Sequence, residues 1–306
     1  MTHATTPATA TTATATTAGT IDAPGATLHY QVRGEGPVLL IGQSGEGDAD
    51  RTVDLVPRLA DTCTVVTYDR RGLSRSRLQD PARGATLAEH ADDAARVLAA
   101  VTTEPAAMLG CSLGAVIGLH LAVRHPGLIH TLVAHEPVAP RLLPAAERAH
   151  HERELADLQG LYTRSGLAAT LPEIARVLGI DTGGRDAEPG LTPQPIDALR
   201  RANFDYFIRH DFTAVLDDTL DIAALAATPT RVLPAVGRTT PEGVFDRRCA
   251  YALAELLGAE VVELPGGHNG NTSHPSAYAA RLRDLLGTRA VGAGSGAKEP
   301  RAAGAA

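Results

Sequence analysis

Tryptophan is absent from this chain of 306 residues, and the other aromatic residues are few, with six tyrosines and four phenylalanines. Cysteine is equally scarce, and its three positions are Cys63, Cys111 and Cys249. Such a small, odd number argues against a fold built on disulfides and is typical of a reducing compartment. Neither a Cys-x-x-Cys pair nor a His-Glu-x-x-His pair occurs, so the sequence predicts no metal site.

Long apolar runs are missing as well. No segment approaches the ~20 consecutive apolar residues that cross a bilayer, and the first residues lack the basic region and leucine-rich stretch of a secretory signal. Acidic residues outnumber basic ones by 35 to 28, a net charge of −7, and the arginines are spread along the chain. This distribution argues against a nucleic-acid partner. We therefore expect a cytoplasmic protein that has neither a membrane nor a nucleic acid as partner.

The two ends of the chain have low complexity. Residues 1–20 are almost entirely threonine and alanine, and residues 287–306 are mostly glycine and alanine. Neither segment can bury enough apolar surface to offset the entropy of ordering it, so both are predicted to be disordered tails. The intervening residues 21–286 are predicted to form one large domain.

Short apolar runs alternate with amphipathic stretches in this domain. Strands are predicted at residues 27–33, 38–41, 63–69, 105–110, 128–134, 230–236 and 260–264. Because helices separate these strands, the pattern predicts an α/β fold with a doubly wound, mostly parallel sheet, formed by residues 21–136 and 226–286. Residues 137–225 interrupt the alternation, since they are charged, carry no strand pattern and predict several helices. We expect this helical insertion to form a lid over the sheet.

Residues 110–114 form the motif Gly-Cys-Ser-Leu-Gly between an apolar strand and an amphipathic helix. A serine on such a sharp turn exposes its hydroxyl at the edge of the sheet, and the glycines avoid collisions with neighbouring backbone. Free N–H groups at the start of the helix are directed at the same point, where they can stabilise an oxyanion. The motif predicts that Ser112 is a nucleophile; the alternative is a serine that only caps the helix.

A serine nucleophile needs a general base, and in this arrangement the base follows the last strand. His268 occupies that place in the glycine-rich segment 265–270, whereas His274 precedes a proline and is a weaker candidate. The base carries the serine proton to the leaving group. Ser112 and His268 therefore form the predicted catalytic core of the site.

An oxyanion hole needs two backbone donors. One is expected to be the N–H of Leu113, directly after the nucleophile. The other is expected in the loop after the strand at 38–41, where Gln43 is the first candidate and Ser44 the next. This loop lacks the spacing of a nucleotide-binding glycine motif, so we predict no nucleotide cofactor.

Two further motifs surround the serine. Residues 68–72 are Tyr-Asp-Arg-Arg-Gly, and residues 135–137 are His-Glu-Pro. With these motifs the chain resembles the α/β-hydrolase superfamily over about residues 21–286, and most of all its bacterial esterase-like members. The resemblance implies a serine hydrolase with a Ser–His–acid triad and without a metal or cofactor. Arg70 and Arg71 either bind an anionic substrate group or fix the loop, and the second interpretation is favoured.

The position of the acid departs from the superfamily pattern. The resemblance places it after the strand that follows the insertion, as in Gly-x-x-Asp, but residues 237–240 are Gly-Arg-Thr-Thr. Some members carry the acid one strand earlier, where Glu136 stands in this chain. Glu136 is therefore the predicted acid, Glu242 is the alternative, and a site without a working acid is the third possibility.

The few aromatic residues are concentrated near the end of the insertion. Phe204 and Phe207 are predicted to form one wall of an apolar substrate pocket, in which His210 and Ser44 also contact the substrate. The alternative for these lid residues is packing against the main domain. The expected partner is a small apolar molecule, and a homodimer is compatible with the sequence.

The sequence thus predicts a carboxylic ester hydrolase that cleaves an ester, thioester or lactone through an acyl-enzyme. A carbon–carbon hydrolase, a cofactor-free peroxidase or a cyclase could use the same residues. Dehalogenases and epoxide hydrolases of this fold attack with aspartate, so Ser112 disfavours them. A binding protein without turnover is the remaining alternative, and the absent Gly-x-x-Asp acid is its support.

Overall fold

One sheet organises the molecule, and its central strands run parallel. The computed structural model describes residues 15–184 and 186–287. In these residues nine strands are present: β1 Thr16–Ala23, β2 Ala26–Arg33, β3 Val38–Gly42, β4 Thr64–Tyr68, β5 Arg77–Leu78, β6 Ala106–Cys111, β7 Ile129–His135, β8 Arg231–Gly237 and β9 Val262–Leu264. The spatial order is β1-β2-β4-β3-β6-β7-β8-β9, and β5 pairs with β2. Strands β3, β4 and β6 to β9 are parallel, whereas β1, β2 and β5 add antiparallel pairs at one side. The predicted α/β fold with a mostly parallel sheet is confirmed.

Helices connect the strands. They are α1 Val56–Leu59, α2 Leu87–Val101, α3 Leu113–Arg124, α4 Ala145–Ser165, α5 Leu167–Val177, α6 Ala198–Tyr206, α7 Phe212–Leu216, α8 Ile222–Ala226, α9 Phe245–Leu257, α10 Gly270–Ser273 and α11 Pro275–Leu286. Short 3₁₀ turns lie at Ala49–Thr52 and Pro140–Leu142, and a π-helical turn lies at Phe207–Asp211. Among the described residues, no helix combines the length and the apolar character needed to cross a membrane.

Alternate residues of each central strand enter opposite apolar layers, because successive side chains of a strand point to opposite faces. Leu40, Met108 and Leu132 pack with α2 and α3 on one face. Leu39, Leu109 and Val133 pack with α11 on the other. Strand β6 is buried along its whole length, as expected for a central strand covered on both faces.

The prediction of a disordered tail over residues 1–20 is wrong for Thr16–Thr20. These residues belong to β1, which pairs antiparallel with β2 from Thr16 opposite Arg33 to Ala23 opposite Ala26. Threonine is β-branched and favours extended backbone, and the partner strand satisfies its hydrogen bonds. Low complexity concealed this edge strand. Residues 1–14 and 288–306 of the two predicted tails lie outside the described residues.

The insertion predicted at residues 137–225, called the cap below, contains helices and no strand in its described part. Its contacts with the main domain include the loop after β3, where Arg200 pairs with Glu46, and the surface of α3, against which α8 packs. Phe207 of the π-helical turn packs against Gly45, so closely that a Cβ on Gly45 would lie 2.5 Å from its ring. The chain leaves β3 and β6 in opposite directions, which opens a crevice between their carboxyl ends. The cap covers this crevice.

Candidate active site

Ser112 occupies a strained turn between β6 and α3. Its backbone has φ +55° and ψ −116°, a conformation that a residue with a Cβ adopts rarely. Gly110 and Gly114 are required because a Cβ on either would lie 2.6 Å or 2.1 Å, respectively, from backbone atoms. The Ser112 N–H donates to the carbonyl of His135 at 2.9 Å, which fixes the turn to β7. The serine is therefore held at the carboxyl end of the central strand, at the N-terminus of α3.

His268 reaches the same place from the loop after β9. Gly266 turns this loop with φ +75°, and a Cβ on Gly237 would lie 2.5 Å from the backbone of Gly267, so two glycines allow the loop to pass close to β8. The side chain of His268 is buried, and both it and Ser112 line one cavity. The two predicted catalytic residues are thus brought together.

Glu136 stands directly after β7 in a left-handed conformation, with φ +45°. Its Oε2 accepts a hydrogen bond from Nδ1 of His268 at 2.9 Å, and its Oε1 accepts one from the N–H of Gly237 at 2.8 Å. The carboxylate is completely buried. A proton on Nδ1 leaves Nε2 of the imidazole free to accept the serine proton, so the arrangement suits a general base.

A second carboxylate, which the sequence analysis missed, also faces His268. Asp246 is the second residue of α9, is fully buried, and its Oδ2 contacts Nδ1 of His268. The signal was present in the helix pattern, because Asp246 shares an apolar face with Cys249, Ala250 and Leu253. An acid on an apolar face, placed between the serine and the histidine in chain order, marks a candidate partner for the base.

Glu242, the alternative acid, does not belong to the site. It is exposed and lies in a surface depression with Glu147 and Tyr251, away from His268. Residues 241–244 form a turn before α9, and Asp246 rather than Glu242 is directed inward by the helix. The alternative based on Glu242 is wrong.

The two carboxylates respond differently to burial. Burial raises the pKa of Glu136, but the hydrogen bond from His268 and nearby positive charge outweigh it and hold the pKa below its usual range. Burial also raises the pKa of Asp246, and there the contact with His268 does not compensate. Neither carboxylate oxygen of Asp246 accepts a well-aligned hydrogen bond from the described residues. Asp246 is therefore the group of the two that holds a proton more readily.

Both acids raise the pKa of His268. Burial alone would lower the pKa of His268, but Asp246 and then Glu136 outweigh burial and raise it. Since Nδ1 of His268 faces both carboxylates, the three groups titrate as a coupled set. The form that can act as a base is the neutral imidazole that keeps its proton on Nδ1 and leaves Nε2 free.

Among the described residues, two groups have donor atoms near enough to hold a metal ion. One is this same set, Glu136, Asp246 and His268, whose donor atoms lie within 4.8 Å of one another. The other consists of His150, His151 and Glu154 on the surface of α4. In the first set, Nδ1 of His268 is already engaged in a hydrogen bond with Glu136. The geometry there therefore fits a hydrogen-bonded triad.

His135 lies beside His268, with 6.5 Å between ring centroids. Its Nδ1 shares a 2.9 Å hydrogen bond with the hydroxyl of Tyr278. Burial lowers the pKa of His135 to about 4, so this imidazole is neutral near pH 7. It packs behind the site and adds no positive charge to it.

Arg70 organises the loop that follows β3. Its Nη1 donates to the carbonyl of Ser44 at 2.6 Å, and its Nη2 donates to the carbonyl of Gly45 at 2.8 Å and to Asp211 of the cap at 2.6 Å. Arg71 forms a two-point ion pair with Asp93, at 2.6 Å for each hydrogen bond. Both arginines are buried and are engaged in fixing the structure, as the favoured interpretation holds.

The cavity in front of Ser112 has a volume of about 220 Å³. Ser44, Phe204 and Phe207 line it. The remaining lining is mainly aliphatic and includes Leu171, Ile174, Ala175, Leu178, Ile180 and Ile196. Three charged side chains complete it: Glu46, Arg51 and Arg200.

His210 does not line this cavity, so the prediction that it contacts the substrate there is wrong. Its ring packs against Tyr206 at 4.7 Å between centroids, and it faces Gly84. His210 lies within the π-helical turn Phe207–Asp211. The extra residue in such a turn rotates side chains around the helix axis, which places His210 on a different face from Phe207.

Comparisons with known proteins identify the family. A family model described as alpha/beta hydrolase fold matches residues 37–164. Over 272 residues the chain is 40% identical to the uncharacterized hydrolase YraK of Bacillus subtilis (strain 168), which covers 88% of this chain and 95% of that protein. A hydrolase from Pseudomonas aeruginosa PA01 has a similar structure, with a TM-score of 0.63 and 25% identity over 88% of this chain and 98% of that one. A thermophilic esterase from Thermogutta terrifontis shares the fold, with a TM-score of 0.68 and 18% identity over 87% and 96% of the two chains. The chain therefore belongs to the α/β-hydrolase family and is a hydrolase.

Proposed function

We propose that this hydrolase cleaves a carboxylic ester, thioester or lactone through a Ser112–His268–Glu136 triad. The observation that carries the proposal is the 2.9 Å hydrogen bond between Nδ1 of His268 and Glu136, in a histidine that lines the same cavity as Ser112. A serine on a strained turn, a histidine and a buried carboxylate are the three parts that covalent acyl transfer needs.

The reaction proceeds in two halves. Ser112 Oγ attacks the carbonyl carbon while Nε2 of His268 takes the hydroxyl proton. The tetrahedral intermediate collapses, the imidazolium protonates the leaving alcohol or thiol, and an acyl-enzyme remains. Water then attacks the acyl-enzyme with His268 again as base, and the carboxylic acid and Ser112 are released. Glu136 keeps the proton on Nδ1 and stabilises the imidazolium.

Two backbone N–H groups stabilise the oxyanion in this proposal. One is the N–H of Leu113, which has no partner within its own helix because it lies in the first turn of α3. For the second, Gln43 stays a prediction, but the geometry favours Ser44. Ser44 lines the cavity, whereas the side chain of Gln43 is turned away to donate to Thr52 at 2.8 Å.

The orientation of the peptide between these two residues supports Ser44. The carbonyl of Gln43 faces Gly114 and accepts from Arg70 at 3.3 Å. In a trans peptide the C=O and the following N–H point in opposite directions. The N–H of Ser44 therefore points away from Gly114 and Arg70.

The competing functions differ in what they require of the site. Enzymes of this fold that open epoxides or remove halogens attack with aspartate, which Ser112 replaces. If the protein bound a ligand without turnover, we would expect Glu136 to be turned away from His268. The hydrogen bond between Glu136 and His268 argues against a binding protein. Carbon–carbon hydrolases, peroxidases and cyclases would use the same residues, so a substrate screen separates them.

We also propose that the enzyme acts in the cytoplasm on small apolar molecules; whether it forms a homodimer does not affect this chemistry.

The test is covalent labelling by a fluorophosphonate, followed by the mass of the intact protein. We expect one adduct on the wild type, none on Ser112→Ala, and much slower labelling of Glu136→Gln. Glu242→Gln is the matched control, since this acid is exposed outside the site, and it should label like the wild type. A folded wild-type protein that takes no adduct would overturn the proposal and favour a binding protein.

A further inference from the structure

One side of the active-site cavity is charged. Glu46 comes from the loop after β3, Arg51 from the 3₁₀ turn Ala49–Thr52, and Arg200 from α6 of the cap. The exposed fractions of their side chains are small, at 8% for Glu46 and 16% for each arginine. These three side chains are largely removed from water, so their charges interact more strongly with a bound molecule than they would in water.

The positive charge in this cluster exceeds the negative charge. Arg200 holds Glu46 at two points, with Nε–Oε2 at 2.5 Å and Nη2–Oε1 at 2.6 Å. The contact of Arg51 with the same carboxylate is longer, at 3.3 Å from Nε. Two guanidinium groups share one carboxylate, so the lining carries about one uncompensated positive charge.

Arg51 is the less compensated of the two. Burial lowers the pKa of Arg51, Glu46 opposes this, and the neighbouring Arg200 lowers the pKa further. The side-chain oxygen of Gln194 accepts from Nη1 of Arg51, and the side-chain amide of Gln194 donates back to the Arg51 carbonyl at 3.1 Å. Because Gln194 is uncharged, these two hydrogen bonds hold Arg51 in place without neutralising its guanidinium group. Among the described residues, the side-chain hydrogen bond of Arg51 is donated from Nη1, and none is donated from Nη2.

Other acids near the cluster are engaged elsewhere. Asp48 accepts from the N–H of Asp50 at 2.7 Å and from the Ser74 hydroxyl at 2.6 Å, and it does not line the cavity. Asp197 caps α6 by accepting the Arg200 N–H at 2.9 Å. Asp54 binds Thr192. Glu136 and Asp246 lie behind His268 and face its Nδ1.

We propose that Arg51, steadied by Arg200 and Glu46, binds a carboxylate of the substrate. The substrate class is then the half-ester of a dicarboxylic acid, or the matching thioester, in which one carboxyl group is esterified and the other is free. Phe204 and Phe207 hold the carbon chain between the two groups. The volume of about 220 Å³ lies below the ~300–1,000 Å³ of typical ligand pockets, which favours a short carbon chain. This inference rests on the proposed function and changes its substrate from a wholly apolar molecule to one that combines an apolar chain with a free carboxylate.

The experiment compares two esters of equal chain length, monoethyl adipate and ethyl hexanoate, by titration of the acid released. We expect the wild type to prefer the anionic ester in kcat/KM by at least about tenfold, because a hydrogen-bonded ion pair is gained. Arg51→Gln should reduce the ratio of the two kcat/KM values by ~10–100-fold, mainly through KM of the anionic ester. This ratio is independent of the fraction of folded enzyme. Arg51→Lys should restore part of it.

Arg201→Gln is the matched control, since Arg201 is the next residue of α6 but is exposed and outside the cavity. Its ratio should equal that of the wild type. Wild-type preference for the neutral ester, or an unchanged ratio in Arg51→Gln, would overturn the carboxylate site while leaving the serine hydrolase intact.

A second measurement does not need turnover. Ser112→Ala should bind monoethyl adipate more tightly than ethyl hexanoate in calorimetry, and Ser112→Ala/Arg51→Gln should lose this difference. Equal binding of the two esters to Ser112→Ala overturns the carboxylate site even if neither ester is hydrolysed. Failure of the proposed function has a different result, namely the absence of a fluorophosphonate adduct on the wild type.

Discussion

Glu136 and Asp246 approach the same ring nitrogen of His268, one from the end of β7 and the other from the first turn of α9. Glu136 also accepts a hydrogen bond from the backbone N–H of Gly237 at 2.8 Å. The anion is stabilised at Glu136, whereas burial favours the neutral form of Asp246. The two acids therefore have different roles. Glu136 orients the imidazole, and Asp246 raises its pKa.

Replacement of each acid by its amide separates these roles. Glu136→Gln removes the charge that orients the imidazole and stabilises the imidazolium, so we expect kcat to fall by about 10³–10⁴-fold. Asp246→Asn leaves Glu136 and its hydrogen bond to Nδ1 in place, so kcat at pH 8 should stay within about tenfold of the wild type. Steady-state kinetics with a neutral ester measures both. An equal loss in the two variants would show that Asp246 orients the imidazole as much as Glu136 does.

The pH profile of Asp246→Asn gives an independent result. The base must be unprotonated, so kcat/KM falls as pH decreases through the pKa of His268. Asp246 raises the pKa of His268 more than Glu136 does. Its replacement by asparagine lowers this pKa, and the acid limb should move to lower pH by roughly 1–3 units. The measurement is kcat/KM from pH 5 to pH 10, and a limb that stays in place or moves to higher pH would contradict the effect of Asp246 on the pKa of His268.

The parts of the site that follow from local sequence were predictable. A Gly-x-Ser-x-Gly motif between a strand and a helix is specified by steric needs within a few residues, and it predicts Ser112. The loop containing His268 follows from chain order. Asp246 was not predictable from a spacing rule, because it stands nine residues beyond Gly237, within a helix. Its position depends on how α9 packs against β8, which is a tertiary property.

The cap and the first strand show two other limits of sequence. Helices in the cap follow from the sequence pattern, but a π-helical turn changes which side chains face inward, as His210 shows. Strand β1 has a composition typical of disorder and becomes ordered by pairing with β2. The partner is the next strand, so the order of β1 depends on a local hairpin that the threonine- and alanine-rich composition of residues 16–20 does not reveal by itself.

Arg70 connects the loop after β3, called the oxyanion loop below because it holds the proposed oxyanion donor, to the cap. Its loss should therefore destabilise the fold. Arg70→Met leaves Asp211 buried with only His90, at 3.2 Å, as a counter-group, and removes the donors to the carbonyls of Ser44 and Gly45. We expect the free energy of unfolding to fall by about 3–5 kcal/mol, measured in urea. Arg248→Met breaks an exposed pair with Glu147 and should cost less than about 1 kcal/mol.

The double variant Arg70→Met/Asp211→Leu tests the reason for this loss. It removes the unpaired buried charge, so it should be more stable than Arg70→Met alone, with a coupling of at least about 1 kcal/mol between the two sites. Losses that simply add would mean that the loop carbonyls, and not Asp211, account for the effect of Arg70.

The contact between Gly114 and the oxyanion loop should be more important for catalysis than for folding. A Cβ at Gly114 would lie 2.1 Å from the carbonyl oxygen of Gly42 and 2.7 Å from that of Gln43, so Gly114→Ala must push this loop away from α3. Displaced donors no longer meet the oxyanion, and removal of one such donor costs about 10²–10³-fold in kcat. We expect that loss in kcat, with little change in KM, in protein that remains folded by circular dichroism. Gly243→Ala is the control, since a Cβ there meets no atom within 4 Å and should leave kcat unchanged. Full activity of Gly114→Ala would mean that the loop lies too far from Ser112 to supply a donor.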